Sequence, residues 1–514
     1  MTNFASVIDT IQDVPVATLD DKRVPDAGRW RKTVGANREA AQELIDQLRT
    51  RDQSLNMEPK ELSPDDLVRW FSAVHHHRNQ TRKSGEPYTV HLWGVAKLAV
   101  EYGFTEHLLI SILLAHDVIE DSRDLPHGYD IFFDLRSETG STTPDETISA
   151  INTTIRDRID SVSKPKPKDN DAYLRKLLES MLKDGRSILV KLFDRLHNMM
   201  TIEHMTEEAR TRIATETMEI FVPIAKHLKM YKLQEELVRL CLKVLNPRLL
   251  EEFDKYVEEK LTEFNSASQE FRSELETKLR EQLQGQHITI EVTPHLLVSK
   301  LDRVHGKAVT DISCTDLNLP EYENFTTINV IVEDDDAAKE VGKIIRELIP
   351  NSTLIENDAH GVSRGRMLKP SHPELGKLFI RVNTRAEEVN TPRGQFNGYT
   401  DIVVSDDLKA QIKEALKRSE DEGLKLTEVV RLEFLAPKSL ITVMYKDASV
   451  KKSERVELNA NATVREIIYK FGGDKSVKIY KVASTAESQW ETHKIECNPD
   501  EQIIHGYTYV IKKF

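Results

Sequence analysis

His116, Asp117, Glu120 and Asp121 stand together in the string "LLAHDVIEDS", residues 113 to 122. At about 100° per residue, their side chains share an arc of roughly 140° on one helix face. A histidine and three carboxylates on one face could hold a divalent cation, or exchange protons with a substrate. A solvated acidic face is the bland alternative. The preceding "LLISILLA" reads as a buried helix, however, where carboxylates are costly unless paired, hydrogen-bonded or bound to metal.

Two further strings supply partners. In "VKLFDRLHNMMT", 190 to 201, Asp194 and Asn198 are four apart and share a face behind another apolar run. In "HHHRNQTRKSGEPYTVHL", His91 stands at the start of a helix, after a polar loop that holds Arg82, Lys83 and Ser84 beside Tyr88. His91, His116, Asp117 and Asp194 would make a mixed nitrogen and oxygen shell suited to manganese or another borderline divalent ion. His75 and His76 read as helix-surface histidines. Arg195 and His197 read as residues that orient Asp194 or pack.

The elements that must position these groups are helical. From about residue 63 to 247, "LLISILLAHDVIED", "DAYLRKLLESMLKD", "RSILVKLFDRLHNMMTI" and "ETMEIFVPIAKHL" each repeat apolar residues at three- and four-residue spacing. "SPDD" at 63 to 66 is a helix start. Residues 1–62 read as a polar leader with a helix around "GANREAAQELIDQLRTR". A long charged amphipathic stretch over 247 to 285, closed by glycine, reads as a connector. The pattern then changes to strand-like alternation in "HITIEVTP", "FTTINVIVED" and "GKLFIRVNT", with a helix in "DDAAKEVGKIIRELIP", which predicts an α+β domain. The last part, from "SLITVMYKDASVKKSERVELNANATVREIIYKFG" to "GYTYVIKKF", reads as a hairpin, a short helix and a closing strand, a small β-grasp type module.

Length and composition are compatible with this reading. The 514 residues suggest roughly three domains. A net charge of −13 argues against binding nucleic acid by bulk electrostatics. Cys241, Cys314 and Cys497 lie far apart with no CxxC pair, so neither a disulfide framework nor a thiolate zinc site is indicated. No window has the character of a signal peptide or a membrane span. A cytoplasmic protein is expected.

The order His…His-Asp…Asp resembles the HD phosphohydrolase superfamily. The longer strings "QTRKSGEPYTVH", "LLAHDVIEDS" and "VKLFDRLHNM" look like the hydrolase domain of the RelA/SpoT family, whose members make and destroy the alarmone (p)ppGpp. "TRIATETMEIFVPIAKHL" and "ELVRLCLKVLNP" extend the resemblance to about residue 250. It implies a multidomain chain with an all-α HD-type (p)ppGpp hydrolase domain over 63–250. His91, His116, Asp117 and Asp194 would be the manganese (Mn2+) ligands. Glu120 and Asp121 would be the acidic pair that positions and deprotonates the attacking water. Arg82, Lys83, Ser84 and Tyr88 match the loop around the guanine and its phosphates, Lys164 a basic residue near the phosphates, Asn198 a substrate-holding residue, and Thr201 one near the ribose. Two positions depart from the family pattern: Leu92 stands where proline usually follows the ligand histidine, and Pro165 replaces the leucine that usually follows Lys164. The implied reaction releases GDP or GTP and pyrophosphate.

The same resemblance implies a connecting helix over 251–285, a synthetase-like (nucleotidyltransferase-like) α+β domain over 286–437, and a TGS-like β-grasp domain over 438–514. The synthetase-like part looks degenerate. "TINVIVEDDDAAKEVGKII" resembles its first strand and helix, but Phe379 or Ile380 stands in "LFIRVNTRAEEV" where the catalytic glutamate belongs, and no "YQSLH"-like string occurs. Hydrolysis without synthesis is therefore expected. "NTPRGQFNGYTD", 390 to 401, is where a retained ligand would bind, against the simpler reading of a turn. A protein or ribosome-associated partner is expected for the TGS-like module, with no zinc-finger or ACT-like region after Phe514. Two alternatives stay open: a non-catalytic alarmone sensor, and an HD phosphohydrolase for another nucleotide.

Overall fold

The computed structural model describes residues 27–54, 58, 62–121, 145–163, 170–183, 185–228, 230–294, 297, 301, 309–317, 319, 326–349, 353–356, 366–369, 371–372, 375–384, 404, 406–421, 423, 425–426, 429–430, 438–446, 451–459, 464–467, 477–482, 495–498 and 508–513. The segment 390 to 401 and Lys164 lie outside them.

In the first half, every regular element among the described residues is a helix. Helix Pro64–His76 starts where the sequence indicates: Ser63 accepts from the Asp66 amide, and Asp66 returns a bond to the Ser63 amide, which satisfies two otherwise orphan donors. Helix His107–Ala115 is apolar on every side, and Leu109 through Ala115 are all buried. It lies in the middle of the helical core, with Trp70 donating to Ser111 at 3.1 Å and Phe193 edge-on to Phe104. Helices Tyr88–Glu101 and Arg186–Met200 pack beside it and beside each other.

Two segments behave differently from their sequence reading. Helix Ala27–Ser54 is no separate leader, since Val34, Ala41, Leu44, Ile45 and Leu48 are built into the same core, packed on helix Tyr88–Glu101. The stretch over 247 to 285 is two helices, Pro247–Ala267 and Gln269–Gln282, that meet at Ser268. Leu249, Leu250 and Phe253 join the helical core, whereas Phe264, Phe271, Leu275 and Leu279 join a second one. Charge on the outer faces masked this division of the apolar residues in the sequence.

That second core sits on a five-stranded sheet. Its strands are β1 (Thr289–Pro294), β2 (Thr326–Val332), β3 (Thr353–Glu356), β4 (Arg366–Lys369) and β7 (Ile380–Thr384), in the order β1-β2-β7-β4-β3, while β5 (Ser371–His372) and β6 (Gly376–Lys377) pair separately between β4 and β7 in the chain. Only β2 and β7 run parallel. Helix Asp335–Leu348, capped by Asp334, lays Ala338, Val341, Ile344 and Ile345 on Ile328, Val330, Ile380 and Val382. The chain then returns to the helical body: Leu408, Ile412 and Ala415 of helix Asp406–Asp421 join the first core, and Arg175 pairs with Glu420 at 2.7 Å.

The last strands form a sheet of their own, ordered β11-β10-β12-β8-β9. A hairpin of β8 (Lys438–Lys446) and β9 (Lys451–Asn459) leads through the short helix Val464–Ile467 to β10 (Val477–Val482), β11 (Ile495–Glu496) and β12 (Thr508–Lys513). The closing strand β12 lies parallel to β8 at the centre. No helix among the described residues is long and apolar enough to cross a membrane.

Candidate metal centre

Three helices of the first core each deliver part of one cluster. His91 is in the first turn of helix Tyr88–Glu101, and Asp194 lies midway along helix Arg186–Met200. His116 and Asp117 occupy a turn, because the expected continuous helix stops at Ala115 and resumes over Val118–Asp121. The imidazole of His116 uses this turn: its Nδ1 lies 2.6 Å from the carbonyl oxygen of Leu113. In the neutral ring, with its proton held there, the Nε2 lone pair would face the cluster.

The ligand atoms offered by His91, His116, Asp117 and Asp194 all lie within 4.8 Å of one another. His116 Nε2 is 2.9 Å from Asp117 Oδ2 and 3.5 Å from Asp194 Oδ1, and His91 Nε2 is 3.6 Å and 3.3 Å from the same two oxygens. Bonds of about 2.1 Å to a common divalent ion would set neighbouring ligand atoms roughly 3 Å apart. Although it is buried and close to Asp117, His116 Nε2 makes no hydrogen bond among the described residues. Lone pairs aimed at a shared point rather than at each other fit a cation.

The electrostatics agree. Burial works to raise the carboxyl groups of Asp117 and Asp194, but the neighbouring histidines and Lys191 overcome it and hold both well below the usual carboxylate range. Burial likewise works to lower His116, yet Asp117 and Asp194 push it up to about 10. Without a cation, the cluster holds a proton in its place.

A polar rim leads into the centre. The loop before helix Tyr88–Glu101 is closed by the Arg82 amide on Glu86 at 2.8 Å and the Tyr88 amide on Gln80 at 2.9 Å, with Gly85 at φ 89°, a left-handed value that favours glycine. The closure lets Arg82 reach across to donate to Asn198 Oδ1 at 2.9 Å and Thr201 Oγ1 at 3.1 Å. Asn198 in turn donates to Asp194 Oδ1 at 2.6 Å, and the Tyr88 hydroxyl donates to Asp117 Oδ2 at 2.6 Å. Arg82, Tyr88, Asn198 and Thr201 are therefore brought to the cluster. Lys83 is exposed, and Ser84 bonds within its own loop to Glu86 at 3.1 Å. Asp121 ends the short helix, with its side chain outside the described part of the structure.

One histidine reading changes, and the other residues around the ligands find their partners. His75 is not on the surface: it is 2% exposed, with Nδ1 2.8 Å from Thr33 Oγ1, because its helix is sandwiched once Ala27–Ser54 joins the core. His77 is fully buried behind the site, stacked on Tyr88 at 4.9 Å and bonded to Gln80. Arg195 pairs with Glu216 and lies 4.3 Å from the Phe221 ring centre, and His197 meets His91.

Lys191 escaped the sequence reading. It is 3% exposed, with Nζ 3.1 Å from Glu120 Oε1, 3.8 Å from Asp194 Oδ2 and 3.9 Å from Asp117 Oδ1. A lone lysine inside the apolar run "SILVKLF", three residues before Asp194 on the same helix face, was the signal.

Residues 70–231 match the family model described as HD domain. The chain is 35% identical over 209 residues to the GTP pyrophosphokinase rsh of Brucella melitensis, covering 41% of this chain and 26% of that protein. It is 33% identical over 186 residues to a GTP pyrophosphokinase of Streptomyces coelicolor, covering 36% and 20%. It is 32% identical over 235 residues to the bifunctional (p)ppGpp synthase/hydrolase SpoT of Escherichia coli, covering 45% and 32%. The matches thus span a third or less of these curated relatives. Residues 70–231 thus carry an HD domain, and the matched part of the chain is similar to proteins of the RelA/SpoT family.

Proposed function

We propose that this chain is a manganese-dependent hydrolase that removes the 3′-pyrophosphate of ppGpp and pppGpp, giving GDP or GTP plus pyrophosphate, and that it does not synthesise them. The observation that carries the reading is the convergence of His91, His116, Asp117 and Asp194, with the bare Nε2 of buried His116 aimed into it and Glu120 alongside. The name of the Escherichia coli relative includes hydrolysis, which favours this chemistry for the HD domain.

A divalent cation bound there would supply a Lewis acid that polarises a phosphoryl oxygen and acidifies water. Glu120 accepts the proton of a water that attacks the phosphorus carried on the ribose 3′ oxygen; that P–O bond breaks and the 3′ oxygen takes up a proton. Lys191 holds the Glu120 carboxylate in place, and Asp121 is its acidic partner in the reading. Arg82, Lys83, Ser84 and Tyr88 receive the guanine and phosphates, Lys164 adds positive charge, and Asn198 and Thr201 hold the nucleoside.

The absence of synthesis rests on the sheet. Ile380, one of the two residues where a catalytic glutamate is expected, is fully buried in the core between β7 and helix Asp335–Leu348. The domain reading (hydrolase over 63–250, degenerate synthetase-like unit over 286–437) goes with that, and the parallel pairing of β12 and β8 supports a TGS-like β-grasp module over 438–514 for a protein or ribosome-associated partner. Cytoplasmic action in the stringent response follows from the substrate. Incubation with Mn2+ and ppGpp should release pyrophosphate, and incubation with ATP and GDP should yield no ppGpp; the reverse pattern would refute the proposal.

A further inference from the structure

His197 meets the centre from behind. Its Nδ1 lies 3.0 Å from Nδ1 of His91, with the rings 4.8 Å apart and inclined at 68°. A neutral imidazole that offers Nε2 to a cation carries its proton on Nδ1, so His91 must donate from there. Among the described residues, the acceptor that faces that atom is Nδ1 of His197.

Space for that ring comes from Gly94, one turn after His91 on the same helix. A Cβ at Gly94 would stand 2.2 Å from His197 Nε2 and 2.6 Å from its Cδ2. His197 is bonded on one side and walled by a helix backbone on the other, so even one methyl group must displace it.

We infer that His197 is a positioning residue that fixes His91 as its Nδ1–H tautomer and aims Nε2 at the cation, and that Gly94 is the gap that admits it. The inference rests on the metal-centre reading and deepens it. Groups behind a ligating histidine typically contribute about 10- to 100-fold to metal affinity.

The test is calorimetric titration of the full-length, metal-free chain with Mn2+ in the absence of nucleotide. His197→Ala and Gly94→Ala should each weaken binding by about 10- to 100-fold. His197→Asn, which keeps an acceptor atom near the Nδ1 position, should bind like the wild type. Gly94→Ala should cost nothing more in the His197→Ala background, since the two act through one ring. Alanine otherwise favours helix, so a loss in Gly94→Ala cannot come from helix propensity. Unchanged affinity in His197→Ala, or equal losses in the Asn and Ala variants, overturns the inference. Failure of the wild type to bind Mn2+ overturns the metal-centre reading instead.

Discussion

The ammonium group of Lys191 lies 3.1 Å from the Glu120 carboxylate, with both side chains largely out of water. Lys191 also faces Asp117 and Asp194, and these carboxylates, with Tyr173 nearby, hold it charged against the opposing effect of burial. One lysine and one divalent cation would together neutralise Asp117, Glu120 and Asp194, the charges that burial makes costly.

Lys191→Met should therefore separate chemistry from binding. Glu120 loses the partner that fixes it, and turnover should fall about 10- to 100-fold, short of losing the base itself. Mn2+ should still bind, because all four ligands remain. Parallel measurement of kcat and Mn2+ affinity checks this; a variant with wild-type kcat would show that Lys191 only balances charge.

Ligand and base variants should differ in kind. His116→Ala and Asp194→Ala should lose both the cation and activity. Glu120→Ala should keep the cation while turnover drops by about 10² to 10⁴. Metal content after desalting, set beside kcat, distinguishes the two groups.

Metal affinity should rise with pH. In the metal-free site His116 is pushed up to about 10, so a cation must displace its proton at any lower pH. Apparent affinity should climb by about tenfold per unit between pH 6 and 8, with one proton released per ion bound. Mn2+ titrations in buffers of different ionisation enthalpy measure both; a flat profile would contradict the assignment of His116.

Arg82→Ala should act on substrate. Its guanidinium bridges Asn198 and Thr201 at the rim rather than touching the ligand oxygens. KM for ppGpp should rise by about tenfold or more, the loss of a charge-assisted hydrogen bond, with Mn2+ affinity unchanged. Steady-state kinetics at saturating Mn2+ gives the split.

The strings around His91, His116 and Asp194 made the cluster legible, because apolar runs force buried helices and buried carboxylates need a partner. What the sequence hid depended on contacts between distant segments. Lys191 was visible only as a lysine in an apolar run until the fold set Glu120 opposite it. His75 looked exposed because nothing local announced that Thr33 would cover it, 42 residues away. Gly94 gave no turn signal, since its role is the space it leaves for His197. The break after Ala115 was equally silent, because "LLAHDVIED" carries neither glycine nor proline.

The central claim is tested most directly by following purified chain with ppGpp by phosphorus NMR, with and without Mn2+. Pyrophosphate and GDP should appear in equal amounts only with Mn2+, and chelation or His116→Ala should abolish their release. Intact ppGpp in the presence of bound Mn2+, or release of single phosphates, would contradict it.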